Sequence, residues 1–244
     1  MSCAAFKLRF GIIGTNFISD WLLEGAAEDS RFEVAAIYSR SQDTANAFAV
    51  KHNIPYTFVS LDAMASSPLI DAVYIASPTA LHSEQAILFM EHGKHVLCEK
   101  PSASNIRELG RMIEAAKKYG VVFMEAMKST LMPGFGAILQ HLPEIGTVRR
   151  YFASYCQYSS RYDKLKAGEV MNAFKPELSN GATMDLGIYT IYPLVVLWGR
   201  PFRISATGIL LSTGVDGQGA VENKTNVILI KLVDLNIKII NLLR

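Results

Sequence analysis

In "HVLCEKPSAS", residues 95–104, the apolar run Val96, Leu97, Cys98 ends in two charges, Glu99 and Lys100, followed by Pro101. Proline cannot continue a sheet ladder, so the strand stops there with both charges at its C-terminal mouth. A lysine in such a place can polarise an oxygen or exchange a proton, and a carboxylate beside it can orient polar groups. A second stretch, "GTNFIS" at 14–19, follows an apolar run and opens a helical one. Backbone N–H groups at a helix start, together with the helix dipole, favour an anion such as phosphate. A third, "IYSRS" at 37–41, presents Ser39 and Arg40, a hydroxyl and a guanidinium suited to phosphate oxygens. The chemistry these residues suggest is anion recognition next to a group that handles a proton.

Such groups act together only if a framework brings them to one edge. The first half of the chain alternates β-branched runs with amphipathic stretches, which predicts an α/β fold with a doubly wound parallel sheet. The expected strands are "KLRFGIIG" (7–14), "EVAAIYS" (33–39), "DAVYIAS" (71–77), "HVLCEK" (95–100) and "VVFMEAM" (121–127), with a shorter one at "PYTFV". Before the last of these, Ile106, Leu109, Met112, Ile113 and Ala116 recur at helical spacing with charges on the remaining face, a surface helix closed by Gly120. At "KSTLMPGFG" a proline and two glycines change the texture. The expected domains are therefore 1–127 and 128–244. In the second, 146–160 and 203–213 read as strands, and "MDLGIYTIYPLVVLWG" (184–199) reads as a mostly buried helix containing Pro193.

The chain has 244 residues, half of them apolar and 19% charged, with a formal net charge of +2. That balance suits a folded protein with a large core and offers no basic face for a phosphodiester backbone, so no nucleic acid is expected. Cys3, Cys98 and Cys156 show no paired spacing, which fits a reducing cytoplasm. The N-terminal stretch lacks the pattern of a secretion signal. The long apolar runs are broken by charged or polar residues before about 18 positions, so no membrane span is expected. His52, His92, His95 and His141 have no ligand spacing, and no metal is expected.

A dinucleotide fingerprint G-x-G-x-x-G/A has a glycine for the tight turn, a second for close approach of the pyrophosphate and a third small residue for helix packing. Here Gly14 takes the first position, Asn16 the second and Ser19 the third, with Thr15, Phe17 and Ile18 completing the turn. A plain strand-to-helix turn would explain a degenerate match equally well. The position of the turn, about 20 residues before the end of the second strand, favours the nucleotide reading. The tip of that strand has no acid for a ribose 2′-hydroxyl and offers Ser39 and Arg40 instead, so NADP is preferred over NAD; the bland alternative leaves Arg40 as a solvated loop residue.

With "GIIGTNFIS", "YIASPTALHSEQAI", "GKHVLCEKP" and "DLGIY" in this order, the sequence resembles the glucose-fructose oxidoreductase and inositol dehydrogenase family over about residues 7–215. Within it the look is closest to dihydrodiol dehydrogenases and NADP-dependent xylose dehydrogenases. The resemblance implies an N-terminal Rossmann domain and a C-terminal α+β domain with an open, mostly antiparallel sheet that closes the substrate site and dimerises through that sheet. It implies that Lys100 reaches the substrate oxygen beside the nicotinamide, and that Asp185 and Tyr189 of the Asp-x-Gly-x-Tyr motif supply two further site residues. Ser77, Pro78, Thr79 and His82 would line the cofactor, His82 without a catalytic role and with a plain helix-start residue as its alternative, and Glu99 would contact the cofactor or stand as a solvated charge. From about Gly219 the likeness fades, as if the end were truncated or altered.

Hydride transfer from a carbinol carbon requires a group that takes the hydroxyl proton. Free lysine and free tyrosine both hold their protons to about pH 10, so a base near neutrality needs about 4 kcal/mol of help from its surroundings. Tyr189 is favoured for the proton and Lys100 for polarising the oxygen, with reversed roles as the alternative. Asp185 would orient Lys100 or a substrate hydroxyl, or cap its helix. The implied activity is an NADP-dependent oxidoreductase acting on a sugar, polyol or diol; the rivals are a non-catalytic dinucleotide sensor and an NAD-linked dehydrogenase.

Overall fold

The structure is a computed structural model that describes residues 7–224 and 229–235. The chain divides into two compact units between Ala126 and Met127.

The first unit follows a strict strand–helix alternation: β1 (Leu8–Ile13), α1 (Phe17–Ala26), β2 (Phe32–Tyr38), α2 (Gln42–His52), β3 (Tyr56–Phe58), α3 (Leu61–Ala65), β4 (Ala72–Ile75), α4 (Thr79–Glu91), β5 (His95–Cys98), α5 (Ile106–Tyr119) and β6 (Phe123–Glu125). All pairings are parallel, in the order β3-β2-β1-β4-β5-β6. This is the doubly wound Rossmann order, with its switch point between β1 and β4. Along β4, Ala72 and Tyr74 enter one core layer while Val73 and Ile75 enter the other. Both faces of the sheet are covered, which is why these strands read as unbroken apolar runs. Helix starts follow local chemistry. Ser41 and Ser60 accept from the N–H groups of Thr44 and Ala63. Asn105 accepts from the N–H groups of Arg107 and Glu108, while the Glu108 carboxylate accepts from the N–H of Ser104, the residue before the cap.

The second unit contains α6 (Pro133–His141), β7 (Arg150–Cys156), α7 (Tyr162–Lys166), α8 (Ile188–Trp198), β8 (Arg203–Leu210), β9 (Asp216–Lys224) and β10 (Leu229–Leu235). Its sheet runs β7-β10-β9-β8; β10 is parallel to β7 and the other pairs are antiparallel. Leu194 of α8 is fully buried against Val148, Tyr151, Ala153, Ile191, Trp198 and Val221.

The stretch 184–199 is helical to Trp198, as expected, but it is half-buried rather than mostly buried, and it opens with a π turn, Thr183–Gly187, that runs into α8 and absorbs an extra residue per turn. The stretch Pro176–Trp198 is long and apolar enough to cross a membrane by length and composition alone, although Glu177, Asn180 and Asp185 interrupt its apolar run. Its backbone is nevertheless irregular, with left-handed Ser179 and Gly181 inside it, and such breaks leave polar groups that lipid cannot satisfy. The final segment, where the likeness fades, contributes β10 to the sheet; 225–228 and 236–244, like Cys3, lie outside the described residues.

Candidate active site

Strand register decides what meets at the edge. Tyr38 pairs with Ile13, Ile13 with Ile75 and Ile75 with Cys98, so β2, β1, β4 and β5 end side by side. The next residues of each strand therefore leave the sheet together: Ser39 and Arg40, Gly14, Ala76 and Ser77, Glu99 and Lys100. At about 4.8 Å between neighbouring strands, they span about 14 Å from β2 to β5 across the switch point, where open α/β sheets bind ligands.

Gly14 has φ +112°, and a Cβ there would come to 2.7 Å from the Ala76 carbonyl oxygen. The turn thus needs glycine twice over, for its backbone and for its approach to β4. Asn16 adopts an extended backbone and caps α1: its Oδ1 accepts from the Ile18 N–H and its Nδ2 donates to the Ala76 carbonyl at 3.0 Å. The side chain in the place of the second glycine is thereby folded back onto β4. Ser19 is fully buried and donates to the Gly14 carbonyl at 2.8 Å, closing the α1–β1 contact that the third fingerprint position requires. Thr15 is half-buried and Phe17 exposed at the start of α1. Ser39 is half-buried, its N–H bonded to the Phe58 carbonyl, and Arg40 is exposed.

On β4, Ser77 donates to Gln85 Oε1 at 2.6 Å, Pro78 stands at the start of α4, and Thr79 is its buried first residue. On β5, the Glu99 carboxylate accepts from the buried Tyr74 hydroxyl at 2.5 Å and from the Lys100 N–H at 3.2 Å. Glu99 is therefore anchored to its own strand end and is not a free solvated charge. Lys100 is half-buried and the Lys100–Pro101 bond is cis. The following turn is held by Glu125, which accepts from the Ser102 N–H at 2.8 Å. Beneath it, burial pushes the Cys98 thiol well above its ordinary pKa, so this cysteine is an inert core residue. His82 is 1% exposed and lies with its ring nitrogens against two backbone carbonyls. It is a framework residue at this edge, not one that presents itself to a ligand.

In the second unit, Asp185 is exposed within the π turn, and Tyr189, half-buried in the first turn of α8, stacks on Tyr155 of β7 with ring centroids 5.6 Å apart. The carboxylate that caps this helical segment is not Asp185 but Asp216 of β9, which accepts from both the N–H and the hydroxyl of Thr183 at 2.7 Å. Gly181 exists to admit it, since a Cβ there would collide with that carboxylate.

Sequence reasoning missed Tyr74, Gln85, Glu125, Tyr155 and Asp216. Only Tyr74 left a signal, because a tyrosine inside a buried strand needs a partner for its hydroxyl. Among the described residues no group of three or more His, Cys, Asp or Glu side chains is placed to hold a metal.

A strand order that reverses at a glycine turn, with a helix start and a Glu-Lys-Pro turn on either side, defines a dinucleotide-binding Rossmann protein. Residues 8–127 match the oxidoreductase family with an NAD-binding Rossmann fold, GFO/IDH/MocA. It is 60% identical over 214 residues to scyllo-inositol 2-dehydrogenase (NADP(+)) IolU of Bacillus subtilis, an alignment covering 88% of this chain and 65% of that one. It is 36% identical over 215 residues to trans-1,2-dihydrobenzene-1,2-diol dehydrogenase of Danio rerio, covering 86% and 62%. The chain thus spans a little under two thirds of these relatives. The crystal structure of the WlbA dehydrogenase of Bordetella pertussis, with NADH and UDP-GlcNAcA, shares the fold at a TM-score of 0.87 and 21% identity, covering 96% of this chain and 68% of that one.

Proposed function

We propose that the protein is an NADP-dependent oxidoreductase that moves a hydride between the cofactor and a hydroxyl-bearing carbon of a cyclic polyol, with scyllo-inositol as the first candidate and a trans-diol as the second. The observation that carries this reading is the shared level at which Arg40, Gly14, Ser77 and Lys100 leave the sheet, in a chain 60% identical to an NADP-linked inositol dehydrogenase. The edge fits the cofactor: the Gly14 turn and the start of α1 suit a pyrophosphate, Ser39 and Arg40 suit a 2′-phosphate, and the β5 end with Glu99 and Lys100 would hold the nicotinamide half.

Oxidised NADP supplies the hydride acceptor when bound. Thr15, Asn16, Phe17 and Ile18 would hold the pyrophosphate, and Ser77, Pro78 and Thr79 would line the cofactor from the end of β4. Glu99, held by Tyr74, orients the turn on which Lys100 polarises the substrate oxygen. On the second unit, the reading gives Tyr189 the exchange of the hydroxyl proton and Asp185 the orientation of the substrate. The protein works in the cytoplasm as a homodimer, or a higher homo-oligomer, formed through the C-terminal sheet.

The test pairs NADPH fluorescence titration with NADP reduction over scyllo-inositol, myo-inositol, xylose and a trans-dihydrodiol. Turnover of at least one cyclic polyol or diol, lost in Lys100→Met and Tyr189→Phe, is the expected result. Tight NADPH binding with no turnover in any arm defeats the enzyme reading in favour of a sensor. Arg40→Ala is expected to weaken NADPH binding about 10- to 100-fold, the worth of one or two charge-assisted hydrogen bonds, and to leave NADH binding unchanged.

A further inference from the structure

His82 sits in the first turn of α4, 1% exposed. Its Nε2 lies 2.8 Å from the carbonyl oxygen of Ser77 and its Nδ1 lies 2.9 Å from that of Pro101. Both partners are acceptors, and a neutral imidazole has one N–H to give. In the neutral ring, one of the two contacts sets a nitrogen lone pair against a carbonyl; only the imidazolium donates to both. The two carbonyls belong to different loops, one closing β4 and one in the turn after β5 that carries Lys100.

We propose that His82 is a positioning residue whose second proton ties the Ser77–Thr79 loop to the Lys100–Pro101 turn, so that the spacing of the cofactor-side loop and the lysine depends on the protonation of a buried ring. The proposal rests on the dehydrogenase reading only for what the two loops hold, not for the tie itself.

Charge at this place is balanced from several elements. Burial lowers the imidazole pKa, while the carbonyls of Ser77 and Pro101 and the charges of Glu99 at the end of β5 and Glu125 on β6 pull it up, and burial prevails. The start of α4, where His82 lies, disfavours a cation as well. The doubly bonded form is thus reached on the acid side of the ordinary histidine value of about 6.5. There the two loops are joined by two bonds; above it they are joined by one.

Nuclear magnetic resonance of the chain without cofactor reads this directly. The side-chain nitrogens of His82 and the backbone carbonyl carbons of Ser77 and Pro101 are followed from neutral to mildly acid pH. The expected result is one titration below 6.5 shared by the ring and both carbonyls, absent from both carbonyls in His82→Gln. Carbonyl shifts that stay flat while the ring titrates overturn the proposal, as does a ring that takes no second proton before the protein unfolds. Should His82→Gln fail to fold, the wild-type titration decides alone.

A second arm measures NADPH affinity against pH. Wild type is expected to gain about fivefold over His82→Gln as pH falls through the titration, the worth of about one hydrogen bond. Identical profiles in the two proteins overturn the positioning role. Absence of NADPH binding in wild type at every pH strikes instead at the function proposed above, and the carbonyl titration still decides for or against the tie.

Discussion

At residue scale, the departure from the glycine fingerprint is absorbed by hydrogen bonding. Asn16 at the second position caps α1 and bonds to β4, whereas Gly14 at the first has no substitute, because a positive φ and the Ala76 carbonyl both exclude a side chain. Gly14→Ala is expected to cost about 1–3 kcal/mol of stability, from a strained backbone and displaced β4 end, and to reduce NADPH affinity at least tenfold; urea denaturation and fluorescence titration measure the two. At the other end of the sheet Arg9 donates to both oxygens of Asp71, at 2.9 and 2.7 Å. That pairing, through its hydrogen bond above all, holds the Asp71 carboxyl below its ordinary pKa. A folded-state value below the unfolded one contributes stability above the unfolded range that is lost as pH falls through the folded value. Asp71→Asn should therefore be less stable than wild type by about 1 kcal/mol at neutral pH, with the gap closing below about pH 4. A constant gap across that range would contradict the assignment.

At the scale of elements, the irregular start of α8 is the feature that sequence periodicity missed. The expectation of one helix over 184–199 rested on an apolar run, and an apolar run carries no mark of a π turn. What holds that turn comes from 33 residues away, where Asp216 of β9 bonds Thr183. Asp216→Ala is expected to free this segment at a cost of about 1–3 kcal/mol, since two bonds to a charged group are lost. On the proposed function it should also lower kcat more than it raises KM, because Asp185 lies on the released turn and Tyr189 on the helix that continues from it. Unchanged kcat in a folded Asp216→Ala protein would separate the π turn from the chemistry. The helices of the first unit contrast with this: Ser41, Ser60 and Asn105 cap them from within three residues, and such starts are legible along the chain.

For the molecule as a whole, the sheet of the second unit is covered on one face by α8, through Tyr151, Ala153 and Val221. Phe152, one residue out of phase on β7, is 62% exposed, and Ile209, on the same open face of β8 by its register with β9, is 57% exposed. Apolar residues along an uncovered sheet face suit association. If the proposed homo-oligomer forms through this face, Phe152→Asp combined with Ile209→Asp should lower the mass measured by light scattering to that of a monomer while NADPH binding survives. An unchanged mass would remove this face from the assembly.

The sequence by itself determined the alternation of strands and helices in the first unit, because buried parallel strands must be apolar on both faces and helix caps are local chemistry. It also marked Gly14, Arg40, Glu99 and Lys100 as polar or glycine residues at strand ends, where a plain core has no use for them. Only tertiary structure decided that these ends stand level, since register is a property of paired strands and no residue records it alone. Tertiary structure also decided that Asn16 turns back onto β4, that Tyr74 anchors Glu99, that Asp216 caps the Tyr189 helix and that His82 faces two carbonyls. Apart from the contact of His82 with Ser77, five residues away, these bonds join residues far apart in the chain, and side-chain identity fixes what a group can donate or accept but not which partner the fold will bring to it.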